Sequence, residues 1–330
     1  MKPISFFKIL ALGLLIFAPL AAFTTALAAP SPAGDLSASN APSLGGCPMF
    51  PANNIWNRRI DTLPIHPRSA AWINSIGRYT GLHMDFGSGT WAGGPIGIPF
   101  NIAPSTLTGV YMGKSQFQYW SESNLGYYPI SASPKIEYGS DHHILMVKQG
   151  TCKLYELYAA RKVSGIWHAG SGAVWSLTSN ALRPDTWTSA DAAGLPILPG
   201  LVRYDEIASG HINHAIRFTV NSTAGHIWPA RHQTSGANVN IPPMGARFRL
   251  KASFNINPYP AQMRVLLLAM KQYGIILADN GSDWYISGAP DSRWNNDSLH
   301  LLDNITGNSF EAVNEAGLMI NASSGQAKQP

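Results

Sequence analysis

The chain has 330 residues, of which only 12% are charged, with 23 Lys and Arg against 18 Asp and Glu. This balance argues against nucleic-acid binding, which requires a concentrated basic patch, because the longest basic cluster is Arg247, Arg249 and Lys251. Few charges with many Gly, Pro and Trp residues are more typical of a loop-rich extracellular domain with neutral or sugar-like partners.

The N-terminus has the organisation of a signal peptide. Lys2 and Lys8 form a basic start, residues 9–23 are almost continuously apolar, and Ala26-Leu27-Ala28 supplies small residues for cleavage. The apolar run is too short, and too soon followed by the cleavage site, for a membrane anchor. We therefore expect residues 1–28 to be removed and the protein to be secreted or periplasmic, with no membrane association after cleavage.

The next segment, 29–46, is rich in Pro, Ser, Ala and Gly and predicts a flexible linker, because it cannot bury enough apolar surface to fold. From residue 47 onward the composition is that of a folded domain, and no second linker interrupts it. We predict one β-rich globular domain over 47–330, with the last ten or so residues disordered.

Cys47 and Cys152 are the only cysteines. An exported chain meets an oxidising compartment, so these two residues predict a disulfide. A catalytic or metal-binding thiol would need a C-x-x-C pair or another thiol nearby, and the sequence has neither.

Strands are predicted wherever apolar residues alternate with polar ones or form short runs. The segments are Ile144–Val147, Lys153–Val163, Gly172–Thr178, Ala215–Val220, Ala246–Phe254 and Ile275–Leu277. The last of these leads through Asn280-Gly281 to Trp284–Ser287, which predicts a β-hairpin over Ile275–Ser287 with Asp279 as a turn residue. In Ala246–Phe254 the alternation places Arg247, Arg249 and Lys251 on one face, which predicts a solvated face or, if it lines a cleft, a site for an acidic polymer.

Helices are predicted at three places. Tyr259–Tyr273 has Pro260 at its start, a broad apolar face and Gly274 as its stop, and shorter helices are expected at Ser69–Ile76 and Asp297–Leu302. No repeat of fixed period occurs, which excludes a propeller or solenoid. The pattern predicts a mainly β fold, either a β-sandwich of jelly-roll type or an irregular barrel, with a few packed helices.

The catalytic candidates are carboxylates, because the sequence has no G-x-S-x-G, H-E-x-x-H, phosphate-loop or G-x-G-x-x-G motif. The polar loops between Trp187 and Glu206 contain Asp191, Asp205 and Glu206, and a glycosidase needs two such groups. We expect these loops to line the substrate cleft. The structural alternatives are that Asp191 caps a short helix from Ser189 and that the Asp205–Glu206 pair forms a turn ion pair with Arg203.

Glu156 is the fourth catalytic candidate. It shares a predicted strand face with Leu154 and Tyr158, and a carboxyl group held beside apolar groups has a raised pKa, as a general acid requires. The alternative is a buried Glu156 paired with an arginine such as Arg217.

Other polar and aromatic side chains are candidates for substrate binding. They are Trp187, Arg183, Arg203, Tyr204, His143, His214, Arg231 and His232. A metal site built from His143, His214 and His232 would need the fold to bring them together, since neighbouring histidines such as His142 and His143 point to opposite faces of a strand. No metal and no cofactor is predicted.

Three segments resemble a group of uncharacterised, secreted bacterial proteins. They are 188–206 (TSADAAGLPILPGLVRYDE), 229–232 (PARH) and 279–284 (DNGSDW), and the likeness extends over the mature chain. The resemblance implies a bacterial, exported protein and brings no activity with it.

The exported, β-rich, aromatic-rich domain favours a secreted enzyme that acts on polysaccharide, most simply a glycoside hydrolase. A polysaccharide lyase is the alternative, in which His143, His214 or Tyr204 removes a proton beside a uronate carboxylate that Arg231 neutralises. A non-catalytic protein that binds a glycan or cell wall is the third hypothesis. The expected partner in each case is a polysaccharide or cell-wall glycan, and the oligomeric state stays open.

Overall fold

The structure is a computed structural model that describes residues 41–329. The predicted signal peptide and most of the predicted linker lie outside the described residues. Within residues 41–329, no helix combines the length and the apolar character needed to cross a bilayer.

The protein is mainly β with a few packed helices, as the sequence predicts. The longer strands are β3 (His83–Asp85), β6 (Phe100–Ala103), β7 (Val110–Met112), β8 (Gly126–Tyr128), β9 (Ile144–Lys148), β10 (Lys153–Tyr158), β11 (Arg161–Val163), β12 (Ile166–His168), β13 (Ser171–Ser176), β14 (Ile216–Val220), β15 (Arg247–Leu250), β16 (Ile275–Asn280), β17 (Tyr285–Ser287) and β18 (Phe310–Ala312). Two-residue strands β1 (Ser43–Leu44), β2 (Cys47–Pro48), β4 (Thr90–Trp91) and β5 (Gly94–Pro95) form small ladders. The helices are α1 (Ser69–Ile76), α2 (Tyr204–Ser209), α3 (Ala261–Gln272) and α4 (Asn296–His300).

The largest sheet has the strand order β18-β15-β16-β14-β17-β3, with β14 parallel to β16 and β17 parallel to β3. Because side chains alternate along a strand, the register assigns Met84, Ile286, Phe218, Leu277 and Phe248 to one face, which is apolar and buried. Helices α1 and α3 pack beside it. The opposite face is polar, and it carries His83, Asp85, Arg217, Thr219, Arg247, Arg249, Asp279, Tyr285, Ser287 and Glu311. Asp279 reaches this face although it lies only two residues after Leu277, because the register of β14 against β16 shifts between Phe218 and Thr219.

A second sheet has the order β13-β10-β9-β6. One of its faces carries Leu145, Val147, Leu154 and Ala173, which join the main hydrophobic core. Glu156, Tyr158 and Ser171 follow on the same face, by alternation and register. This face therefore changes from apolar to polar along its strands.

The segment 189–202 contacts both sheets and is almost entirely buried. A buried loop needs partners for its backbone groups. The N–H of Ala193 donates to Ala278 O (2.9 Å) and that of Val202 to Ser287 O (3.1 Å), both on the larger sheet. The N–H groups of Ile197 and Leu198 donate to the Glu156 carboxylate on the smaller sheet (both 2.9 Å). These hydrogen bonds fix the segment that carries Asp191.

The helices at Ser69–Ile76 and near Tyr259–Tyr273 are confirmed, and the third lies at Asn296–His300. The disulfide is also confirmed: Cys47 and Cys152 are bonded with a Cα–Cα distance of 5.3 Å, and the bond ties β2 to the turn before β10.

The predicted hairpin over Ile275–Ser287 is wrong. Strands β16 and β17 occur where expected, but β14 lies between them and pairs with both, so they are not partners. Gly281 does not take the positive φ of the expected turn, which occurs instead at Trp284 (φ 60°). A glycine is needed at 281 because a Cβ there would lie 2.8 Å from Thr219 Oγ1.

The Arg247–Lys251 face is not a solvated sheet face. Arg247 is fully buried and donates to the carbonyls of Tyr273, Ile55 and Arg58, because the chain after β2 covers this part of the sheet. Arg249 pairs with Glu311 at 2.8 Å.

Both ends of the described chain make contacts with the domain. Within the predicted linker, Ser43–Leu44 form β1, which pairs with β2. Near the C-terminus, Gln326 bridges to Asn54, and Ala327 is 2% exposed and accepts a hydrogen bond from Arg58.

Candidate functional site

A pocket of about 450 Å³ opens where the polar faces of the two sheets meet the start of the buried segment. It is lined by Tyr119, Glu122, Asp141, Tyr158, Ser171, 188–192, His232, Thr234, Asp279 and Asn280. We call it the acidic pocket, because four of these residues are carboxylates and none is Lys or Arg.

Two aspartates at the base of this pocket share one arginine. Arg217 is buried, and its Nε and Nη2 lie 2.7 and 2.5 Å from the two oxygens of Asp191. The same Nη2 lies 3.2 Å from Asp279 Oδ2, while Nη1 donates to the Ser287 hydroxyl. Because Asp191 binds Arg217 through both of its oxygens, it interacts with the guanidinium charge more strongly than Asp279 does.

Asp279 is therefore the carboxyl that keeps a proton. Burial and the neighbouring Asp191 carboxylate, to which it is hydrogen-bonded, raise the pKa of Asp279 to about 8 although Arg217 acts in the opposite direction. The Asp191 side chain is inaccessible, whereas 17% of the Asp279 side chain is exposed. Two interacting carboxyls with different environments divide into one ionised group and one acid. Only the acid faces solvent here.

A second buried pair lies beside the first. His143 contacts Glu137 Oε2 through Nδ1 (2.6 Å) and Ala190 O through Nε2 (3.0 Å). Burial alone would lower the pKa of His143, but the hydrogen bond and charge of Glu137 outweigh it and raise the pKa to about 9. Both ring nitrogens thus donate near neutrality. The imidazolium holds the backbone of Ala190, next to Asp191.

The remaining wall of the pocket carries further acidic groups. Burial raises the pKa of Tyr158, and so do the charges of Asp141, Tyr119 and Asp279. Asp141 is partly exposed and lines the pocket. Glu122 lines it as well, but its Oε2 accepts the N–H of Thr188 at 3.0 Å. Of these two carboxylates, Asp141 is therefore the one whose oxygens are more available to a bound molecule.

His232 adds a hydrogen-bond acceptor to the pocket. Its Nδ1 contacts Ala192 O at 2.7 Å, which in the neutral ring assigns the proton to Nδ1 and leaves a lone pair on Nε2. Among the hydrogen bonds of residues 41–329, none uses this Nε2. His232 can accept a hydrogen bond from a bound hydroxyl group.

Of the four predicted catalytic residues, only Asp191 lines this pocket. Glu156 is fully buried, where burial raises its pKa to about 7 although the N–H groups of Leu198 and Ile197 favour its charged form. The raised pKa agrees with the sequence expectation, but the group faces backbone rather than a pocket. Its partner is not Arg217, and Asp191 caps no helix, because residues 189–191 are not helical.

Asp205 and Glu206 lie elsewhere, on α2, and line a different pocket of about 250 Å³ with Arg203. Arg203 Nη2 lies 2.7 Å from Glu206 Oε1, and His214 Nε2 lies 3.1 Å from Oε2. Burial opposes ionisation, but His214 and Arg203 outweigh it and lower the pKa of Glu206. An ionised, paired Glu206 fits the ion-pair alternative that the sequence left open.

The predicted binding residues are divided between these places. His143 and His232 lie at the acidic pocket, while Arg203 and Tyr204 line another pocket, of about 720 Å³. Arg183 is buried under the rings of Trp175 and Trp187 and donates to Glu122 O and Thr188 O. Arg231 donates to Arg183 O and Ala322 O. Both arginines support loops.

No group of three or more His, Cys, Asp or Glu side chains arranged to hold a metal ion occurs within residues 41–329. His143, His214 and His232 have separate partners, as described above.

Sequence reasoning missed Asp279, Asp141 and Glu137. The Asn280-Gly281 signal predicts a turn residue at Asp279, but Asp279 directly follows the fully buried run Ile275–Ala278. A polar residue at the end of a buried strand is the signal that could have identified it. Nothing local in the sequence distinguishes Asp141 or Glu137.

No family model matches the chain, and neither a curated protein nor a solved structure is detectably similar to it.

Proposed function

We propose that the protein is a secreted glycoside hydrolase that acts on a polysaccharide, with Asp279 as the general acid. The observation that carries the proposal is a solvent-reachable carboxyl group held in its protonated form, beside an ionised one, in a pocket of sugar-binding size. Cleavage of a glycosidic bond requires such an acid to protonate the departing oxygen.

Asp191 and Arg217 act as positioning residues in this proposal. Burial and the negative charge of Asp191 together keep the proton on Asp279, and Arg217 fixes the orientation of both carboxyls. Backbone N–H groups of Ala192 (3.3 Å) and Asn280 (2.8 Å) hold Asp279 Oδ1. The other oxygen, Oδ2, accepts a hydrogen bond from Arg217 Nη2 at 3.2 Å and is the one left to carry the proton.

Asp141 supplies the second carboxylate. If Asp141 removes a proton from the attacking water, the configuration of the anomeric carbon is inverted. If Asp141 itself attacks the anomeric carbon, and water then hydrolyses the covalent intermediate, the configuration is retained. Tyr158, His232 and Asn280 line the same pocket and offer hydrogen bonds to sugar hydroxyls.

The alternative of a uronate lyase has less support. Such an enzyme needs a cation to neutralise the uronate carboxylate, and no Lys or Arg is among the described residues that line the acidic pocket. A non-catalytic glycan-binding protein needs no protonated carboxyl, so that hypothesis does not explain the Asp191–Asp279 arrangement.

The test is to incubate the purified protein with soluble polysaccharides and analyse the products. We expect new reducing ends with no ultraviolet-absorbing unsaturated ends. Asp279→Asn should abolish their release, whereas Asp61→Asn, which removes a partly exposed carboxylate from an Arg59 ion pair outside the pocket, should not. Unsaturated products would establish the lyase, and glycan binding without either product would establish the binding protein.

A further inference from the structure

A second pocket, of about 420 Å³, lies on the same polar face of the six-stranded sheet. It is lined by His83, Met84, Asp85, Phe86, Trp91, Ile96, Tyr285, Asn296, Leu299 and His300. We call it the aromatic pocket. Trp91 is 77% exposed, and the rings of His83 and Tyr285 lie 4.2 Å apart. An exposed indole beside paired rings offers flat apolar faces of the kind that sugar rings stack on.

Strand register relates the two pockets. Asp279 pairs with Thr219, Thr219 with Tyr285, and Tyr285 with His83, in one row across four adjacent strands. Neighbouring strands lie about 4.8 Å apart, so Tyr285 is about 10 Å and His83 about 14 Å from Asp279 along this row. A few linked sugar residues span such a distance.

One loop lines the acidic pocket and also contacts the turn that follows Trp91. Asp141 and the Glu137–His143 pair belong to the acidic pocket and its base. Tyr138, in the same loop, donates its hydroxyl hydrogen to Ala92 O (2.7 Å) in the β4–β5 turn that carries Trp91. Gly94 is required there, because a Cβ would lie 1.8 Å from the Tyr138 ring.

The charges of the two pockets indicate the kind of polymer. Neither has a Lys or Arg among its described lining residues, and both contain aspartate. A polyanionic chain would meet carboxylates with no compensating cation, so the lining favours an uncharged polymer.

We propose that the two pockets are parts of one binding surface for a neutral polysaccharide, with Trp91 as a stacking platform remote from the bond that is cleaved. This inference rests on the proposed function. Because the substrate continues past the acidic pocket, long chains bind more tightly than short ones and are cut internally.

The test measures binding and cleavage separately, with Trp91→Ala and the control Tyr79→Ala, whose side chain is 82% exposed and lines neither pocket. The probes are soluble xylan, mixed-linkage β-glucan, galactomannan and arabinan, with polygalacturonate as the acidic counterpart. Affinity electrophoresis reports binding, and reducing ends report cleavage of long chains and of short oligosaccharides.

We expect at least one neutral polymer to bind, polygalacturonate not to bind, and Trp91→Ala to weaken binding of the long chain by roughly three- to tenfold. Trp91→Ala should lose more activity on long chains than on short oligosaccharides, whereas Tyr79→Ala should match the wild-type protein on both. Equal binding of the long chain by both variants, preference for polygalacturonate, or no binding by the wild-type protein would overturn the inference. Trp91-dependent binding without any cleavage would support this surface and refute the hydrolase.

Discussion

Asp191 and Asp279 bind the same nitrogen of Arg217, at 2.5 and 3.2 Å, but only Asp279 reaches solvent. Asp191 also contacts Arg217 Nε, so it interacts more strongly than Asp279 with the positive charge of the arginine. The unequal sharing explains how one site keeps a carboxylate and a carboxylic acid side by side, and it determines how the protein should respond to pH.

The first prediction concerns stability against pH. Asp279 keeps its proton to about pH 8 when folded but loses it near pH 4 when unfolded, so the folded state binds more protons between these values. The free energy of unfolding therefore falls as the pH rises from about 4 to about 8. Asparagine mimics the protonated acid and has no proton to lose.

The melting temperature of Asp279→Asn relative to wild type should consequently rise between pH 5 and pH 9, on top of a constant cost because the amide NH₂ cannot accept the Arg217 hydrogen bond. His143, whose folded pKa is also raised, lowers stability between about pH 6.5 and 9 in both proteins, so the difference between them isolates Asp279. Melting curves at both pH values decide the matter. A difference between the two melting temperatures that stays constant from pH 5 to pH 9 would contradict the raised pKa of Asp279.

The second prediction concerns Arg217. Arg217→Gln leaves the buried Asp191 carboxylate without its partner, which should lower the free energy of unfolding by about 3–5 kcal/mol. Arg59→Gln breaks an exposed pair with Asp61 and should cost less than about 1 kcal/mol. Urea unfolding of the two variants provides the comparison. Equal stabilities would mean that the buried pair is dispensable.

The third prediction separates a structural Glu156 from a catalytic one. Glu156→Gln faces an amide NH₂ towards the N–H of Ile197 or Leu198 and leaves a buried donor unpaired, at about 1–3 kcal/mol. Turnover by the folded protein should stay unchanged. A hundredfold slower rate at an unchanged melting temperature would restore Glu156 as a catalyst.

The fourth prediction concerns the disulfide. Replacing both Cys47 and Cys152 by serine frees a loop of about 105 residues in the unfolded chain. On the chain-entropy model this should destabilise the protein by on the order of 4 kcal/mol. Thiol titration of exported wild-type protein in denaturant should find no free thiol, and two free thiols would contradict the prediction.

Most strands and helices could be predicted from the sequence, but which strands pair and which segments cover them could not. Alternation and capping located the main strands and helices, because these signals lie within one segment. The Asn280-Gly281 turn signal could not reveal that β14, more than fifty residues earlier, lies between β16 and β17. Alternation likewise places Arg247 and Phe248 on opposite faces of the sheet. It could not show that the segment containing Ile55 and Arg58 covers the face that carries Arg247.

The candidate site was accessible from the sequence only in part. The loops that contain Asp191 were identified, because carboxylates and aromatics cluster there. Asp279 and Asp141 come from two other parts of the chain, and only the parallel pairing of β14 with β16 brings Asp279 to Arg217. A site assembled from three distant segments leaves no spacing pattern in the sequence.

The central claim is that Asp279 donates the proton to the departing oxygen, and leaving-group dependence tests it most directly. Turnover of Asp279→Asn is measured on the polysaccharide and on an aryl glycoside of the same sugar whose phenolate leaves without protonation. We predict that the variant loses roughly a hundredfold or more on the polysaccharide but stays within a few-fold of wild type on the aryl glycoside. Equal losses on both substrates, or no loss on the polysaccharide, would contradict the assignment.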